Sequence, residues 1–168
     1  MKSDLRHHLD GSFYRNKLKL TIPRLVRALI TPEFRVVLAY RIDNWFWHKG
    51  YKTVSFILYQ HHKRKYNCDL SPQAVIGKGF RIVHASDIVI GPTSIIGDHC
   101  VFFNGVTLGN RKGNTKEGMP TVCNWVMIGT GAKLLGHVTI GNKVLIGANS
   151  VVLKSFKEGT IAGIPASN

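Results

Sequence analysis

The chain has 168 residues, 44% of them hydrophobic, with 23 Lys and Arg against 9 Asp and Glu, a formal net charge of +14. This suits one sizeable core plus an appendage and excludes a disordered or collagen-like chain. No stretch reaches the roughly 18 consecutive apolar residues that cross a bilayer, the polar opening Met1 to Gly11 is no signal peptide, and Cys68, Cys100 and Cys123 lack C-x-x-C spacing, so a reducing cytosol without disulfides or a zinc ribbon is expected.

The charge surplus is uneven: the residues before Cys68 hold 14 Lys and Arg against 4 Asp and Glu. Nucleic acid, anionic lipid, a phosphorylated ligand or a merely solvated basic face all suit such asymmetry. No helix-turn-helix, zinc finger or aromatic RNA-binding motif accompanies it, so no nucleic-acid partner is expected. A short helix is expected from Pro23. Thr31-Pro32-Glu33 predicts the start of a longer one, with Thr as N-cap, Pro at the first helical position and an acid in the first turn. It runs to about His48, with Phe34, Val37, Leu38, Ile42, Trp45 and Phe46 as its apolar stripe and Gly50 at its C-terminal cap. A further helix follows through Val54, Ile57, Leu58 and His61 and leaves by a basic run to Lys65. Trp45, Phe46 and Trp47 interleaved with Arg35, Arg41, Lys49 and Lys52 suit a membrane interface or a partner helix in an oligomer equally well.

Beyond residue 67 the pattern changes to a hexad rhythm, an aliphatic residue beside a glycine or small residue every six positions. Its beats are Ile76 and Ile82, then, after a slip of two residues, Ile90, Ile96, Phe102 and Leu108, and after a longer break Val122, Ile128, Leu134, Ile140, Ile146 and Val152. Such a repeat cannot bury its apolar face alone and must stack on its neighbours, which predicts a three-faced β-helical prism. The expected organisation is an α-helical domain over 1–67 and a β-helix over 68–168 with an extended loop at 109–121. The interruptions are where function is expected on so regular a scaffold. One is Ile82-Val83-His84-Ala85-Ser86-Asp87; the other is the loop, rich in Gly, Lys and Asn, with Arg111, Lys112 and Lys116 as its basic residues.

Asp69-Leu70-Ser71-Pro72, Ile76-Gly77-Lys78-Gly79, His84-Ala85-Ser86, Ile88-Val89-Ile90-Gly91, Gly105-Val106-Thr107-Leu108-Gly109 and Gly163-Ile164-Pro165-Ala166, in this order, resemble the landmarks of the left-handed β-helix acyltransferases, and within them the serine O-acetyltransferase branch. The resemblance covers about Asp69 to Ala166. It implies a left-handed parallel β-helix, a homotrimer, and acetyl-CoA in the groove between adjacent prisms. It makes His84 the general base and Asp69 the carboxylate that orients it. An acceptor hydroxyl needs a base near neutral pH, for which imidazole is suited, and a carboxylate on its far nitrogen fixes the tautomer. Gly131, Ala132 and Lys133 resemble the pantetheine-facing wall, with Arg111, Lys112, Ala148 and Lys154 as further cofactor contacts.

Where the family has an aspartate before the catalytic histidine and an Arg-His pair at the end of the loop, this chain has Val83, Gly118 and Met119. Val83 and Met119 are therefore the expected acceptor-binding residues, and an amino-acid zwitterion loses its charged partners there. The short helical domain is similar in layout to capsule, exopolysaccharide and colanic acid O-acetyltransferases. The leading expectation is accordingly acetyl transfer to a sugar hydroxyl of a polysaccharide precursor, by a cytoplasmic enzyme in peripheral contact with the inner membrane. Serine O-acetylation is the alternative, and a non-catalytic scaffold the second. His84, His99 and His137 offer no close histidine pair of the kind a metal-dependent γ-type carbonic anhydrase needs, so no metal is expected; His99 and His137 read as solvated.

Overall fold

The computed structural model describes residues 1–10, 21–111 and 118–163. Helices α1 (Lys2–Asp10), α2 (Ile22–Ile30), α3 (Pro32–His48) and α4 (Lys52–Tyr66) precede the strands. These are β1 (Cys68–Leu70), β2 (Val75–Ile76), β3 (Arg81–Val83), β4 (Ile88–Ile90), β5 (Ile95–Ile96), β6 (Val101–Phe103), β7 (Thr107–Gly109), β8 (Thr121–Val122), β9 (Met127–Ile128), β10 (Lys133–Leu135), β11 (Thr139–Ile140), β12 (Leu145–Ile146), β13 (Val151–Val152) and β14 (Ile161–Ala162). They form a left-handed parallel β-helix of three sheets. The first face runs β1-β4-β7-β10-β13, the second β2-β5-β8-β11 and the third β3-β6-β9-β12-β14.

The hexad residues face inward on all three faces: Ile90, Phe102, Leu108, Ile128, Leu134 and Ile140 are wholly buried, and Ile76, the most exposed beat, is 6% exposed. Burying each contributes roughly 1.5–3 kcal/mol. A regular coil takes eighteen residues, as where Ile90 pairs with Leu108 and Leu134 with Val152. Ile82 pairs with Phe102, twenty residues on, so the slip is two extra residues at the corner between the third and first faces. Leu108 pairs with Leu134, twenty-six residues on, so the loop holds eight extra residues at the corner between the first and second faces. The first face is bounded by both irregularities.

α3 lies on the first coil through polar side chains. The Tyr40 hydroxyl donates to the Ala74 carbonyl at 2.6 Å, Asn44 Nδ2 to the Pro72 carbonyl at 2.9 Å, and the Arg41 guanidinium to the carbonyls of Ile76 and Gly77. The buried side is accordingly Phe34, Val36, Val37, Ala39, Tyr40 and Asp43. The expected stripe is rotated from this: Ile42 and Trp45 are 41% and 53% exposed, while Val36, Val37 and Tyr40 join the core of the prism beside the hydrogen-bonding side chains. Thr31 also departs from expectation. Its hydroxyl donates to the Ala28 carbonyl at 2.8 Å, closing α2, and gives α3 no side-chain cap. α1, which no apolar pattern announces, is held by Asp4, whose Oδ1 accepts from Arg41 Nη2 and the Phe80 backbone N–H, each at 3.0 Å. His7 adds a hydrogen bond to the Gly79 carbonyl.

Candidate active site

The two extra residues at the first corner place His84 in the left-handed region, φ +59°, beside Asp87 at +54°. The turn is closed by the Ser86 N–H donating to the His84 carbonyl at 2.8 Å. Successive coils stack here by backbone bonds from Asp87 to Asn67, Gly105 to Ser86, Gly131 to Asn104 and Asn149 to Thr130, at 2.7 to 3.0 Å. In each of these later coils one residue, Gly105, Gly131 or Asn149, takes a positive φ in register with Asp87. His84 lies outside that column, so its left-handed backbone belongs to the insertion alone. Its imidazole is exposed, at the top of the corner edge.

His84 opens on a pocket of about 190 Å³ lined by His8, Glu33, Arg81, Ile82, Val83 and His84. Alternation along β3 turns Ile82 inward and leaves Arg81 and Val83 half-exposed on the outer face. α1 supplies His8, whose Nε2 is 3.0 Å from Thr31 Oγ1. Burial holds the His8 pKa below its ordinary value, with Glu33 opposing and Arg81 and Arg27 reinforcing the shift.

A larger cleft, about 490 Å³, lies on the first face beneath α3 and α4. Asp69, Thr107, Gly109 and Met119 line it, with Trp47, Phe56 and Tyr59 from the helices. Asp69 accepts hydrogen bonds from the Tyr59 hydroxyl and from Lys63 Nζ, the latter at 2.5 Å. Burial, then the bond to Asp69 and its charge, push the Tyr59 pKa well up. Within one protomer, therefore, Asp69 is not hydrogen-bonded to His84 as expected: α4 supplies its partners. The expected acceptor residues also separate, Val83 lying with His84 and Met119 with Asp69. Met119 is seated by Gly91, where a Cβ would lie 2.2 Å from its sulfur.

The expected cofactor residues divide in the same way. Gly131 and Ala148 lie along the corner edge that runs down from His84, and Lys133 Nζ ties that edge to the first face through the Gly105 carbonyl at 2.6 Å and Thr107 Oγ1 at 3.1 Å. The Ala132 methyl is wholly buried, so its side chain belongs to the core. Arg111 and Lys154 are exposed at the corner between the first and second faces, away from the edge. Lys112 and Lys116, like Ile164-Pro165-Ala166, lie outside the described residues.

His99 is not simply solvated. It is half-buried, with its ring stacked on Trp125 at 4.3 Å and edge-on to His7 at 5.5 Å. Burial lowers its pKa, opposed first by Asp98. His137 is exposed. Glu33 and His8 were absent from the expected site because α3 and α1 bring them to His84 only in the tertiary fold, as α4 brings Tyr59 to Asp69, whereas Arg81 lies three residues before His84 on β3 and was passed over. Among the described residues no three His, Cys, Asp or Glu side chains cluster as a metal site, and no helix is long and apolar enough to cross a membrane.

No protein-family profile matches the chain. It is 38% identical over 134 residues to the serine acetyltransferase of Salmonella typhimurium, covering 79% of this chain and 49% of that protein. A truncated serine acetyltransferase apoenzyme superposes with a TM-score of 0.83 at 34% identity, over 98% of this chain and 67% of the other. The serine acetyltransferase of Brucella abortus, solved in complex with coenzyme A, gives 0.82 at 30% identity, over 98% and 65%. The chain spans about half the length of the curated relatives it matches. These findings overturn the expected likeness to capsule and colanic acid enzymes. The superposition takes in the N-terminal helices as well as the prism, so the helices present here are shared with serine acetyltransferases. Polysaccharide acetylation and membrane contact lose their basis with it. At Trp45, Phe46 and Tyr51 the aromatic rings pack edge-on against one another, at 4.9 and 6.2 Å. The chain belongs to the hexapeptide-repeat acyltransferase family.

Proposed function

We propose that this chain is a serine O-acetyltransferase, moving the acetyl group of acetyl-CoA to the side-chain hydroxyl of serine. The observation that carries the reading is the sequence similarity to serine acetyltransferases across both helices and prism. The corner geometry supports it: His84 stands exposed at the head of the edge along which Gly105, Gly131 and the exposed Ala148 stack, coil on coil.

In the reaction the His84 imidazole takes the serine hydroxyl proton as that oxygen attacks the thioester carbonyl carbon. The tetrahedral intermediate collapses with cleavage of the C–S bond, and the imidazolium returns its proton to the departing thiolate, giving O-acetylserine and free coenzyme A. Coenzyme A lies along the corner edge, its pantetheine arm passing Gly131. Three chains associate as a trimer, with the cofactor groove between adjacent prisms.

The test is a thiol-release assay with acetyl-CoA and serine on the wild type and on His84→Asn. Asparagine tolerates the left-handed backbone and cannot act as the base. A fall in kcat of about a hundredfold or more with the melting temperature retained is expected. Undiminished turnover of the variant would remove His84 from the mechanism, and a wild type that leaves serine untouched would remove the substrate.

A further inference from the structure

Serine at neutral pH carries a carboxylate and an ammonium, and each must exchange water for a partner on entering a site. At the positions where the sequence resemblance places the charged partners, this chain has Val83, Gly118 and Met119, which offer no side-chain charge. The pocket that His84 opens on nevertheless holds two opposite charges, Glu33 from the first turn of α3 and Arg81 from the outer face of β3. We propose that these two residues form the acceptor clamp, Arg81 receiving the α-carboxylate of serine and Glu33 its α-ammonium, so that the hydroxyl is presented to His84. The inference rests on the serine reading above.

Three observations bear on it. The lining sets a carboxylate, a guanidinium and an imidazole around one space of about 190 Å³. That is smaller than the roughly 300 Å³ at which pockets for drug-sized ligands begin, and it suits a compact metabolite. His8 registers both charges from within the same pocket: after burial, Glu33 is the largest influence on its pKa and Arg81 the next, with opposite signs. Finally, Arg81 precedes His84 by three residues on the same strand and turn, so the clamp and the base are fixed to each other by one short segment. The guanidinium has five donors in a planar fork that matches a carboxylate, and it can hold one while serving other acceptors.

The clamp assigns each charge of the substrate to one residue, and acceptors lacking one charge test each assignment. Serinamide keeps the ammonium and lacks the carboxylate; 3-hydroxypropanoate keeps the carboxylate and lacks the ammonium. Arg81→Met is expected to raise KM for serine by about tenfold or more while changing turnover of serinamide less than about twofold. Glu33→Gln is expected to do the same for serine and to spare 3-hydroxypropanoate. In both variants KM for acetyl-CoA stays at the wild-type value, which shows that the fold and the donor site are intact. Unchanged KM for serine in both variants, or equal losses with all three acceptors, would overturn the clamp. Failure of the serine reading shows differently, as a wild type that acetylates no serine, and the clamp falls with it.

Discussion

Asp69 is legible in the sequence as a landmark, while its partners within one protomer come from α4. Its place at the start of the prism makes a family landmark, but its bonds come from Tyr59 and Lys63, one turn apart on α4, a pairing that needs the tertiary fold. The two bonds differ in weight. The Lys63 ion pair is largely solvent-exposed and is worth under about 1 kcal/mol after screening, whereas a hydroxyl on a half-buried carboxylate is worth roughly 1.5–3 kcal/mol. Tyr59→Phe is therefore expected to lower stability more than Lys63→Met, as read by urea denaturation. Equal losses would mean that the ion pair holds α4 as firmly as the hydroxyl does. The glycines beside the beats are strict for another reason. A Cβ on Gly97 would lie 2.8 Å from the Cys123 carbonyl carbon, a backbone atom of the next coil that cannot move aside. Gly97→Ala should cost about 1–3 kcal/mol, the scale of overpacking, and lower the melting temperature accordingly.

At the scale of elements, the strands were legible to the residue because a six-residue period admits no rival structure, and every beat is buried as read. The helices were legible in number from α2 onward but not in orientation. On α3 the docking face is Val36, Val37 and Tyr40 in the core together with the hydrogen bonds of Tyr40, Arg41 and Asn44, and the stripe through Ile42 and Trp45 is displaced from it. α1 had no apolar signal, since its hold on the prism is Asp4 and His7. The packing of α1 and of the coil corner below it has a pH consequence. His8 and His99 both have pKa values lowered mainly by burial, so the unfolded chain binds protons more readily than the fold does. A depressed histidine contributes stability that is complete above its unfolded value of 6.5 and is lost as pH falls through the folded value. Melting temperature should therefore fall between about pH 7.5 and about pH 5, and His99→Gln should flatten that slope. Asp98 and Asp4, which face His99, oppose the effect, and Lys78 adds to it. A melting temperature that rises on acidification would show that other groups dominate.

For the molecule as a whole, the hexads and the motif order disclosed fold and family, and the expected acceptor was nevertheless wrong. The acceptor was read from Val83, Gly118 and Met119 alone, and the similarity to serine acetyltransferases overturns it. Glu33 is 48 residues before Arg81 in the chain, and no period or spacing connects them. The helical part is short beside the relatives, yet its helices superpose on those of serine acetyltransferases. Assembly is the remaining whole-molecule expectation. Sedimentation equilibrium should give three times the 18.7 kDa of one chain. A monomer at micromolar concentration would contradict the proposed trimer.

The left-handed backbone at His84 sets the proposed reaction against the fold. A residue with a Cβ in that region gives up roughly 1–2 kcal/mol, less for histidine than for most, while glycine there gives up only the roughly 0.5–1 kcal/mol of its extra freedom when unfolded. His84→Gly should thus be inert yet melt no lower than the wild type. His99, Trp125 and Lys143 hold the same left-handed backbone at other corners, so the strain at His84 is one the prism bears elsewhere without the proposed chemistry.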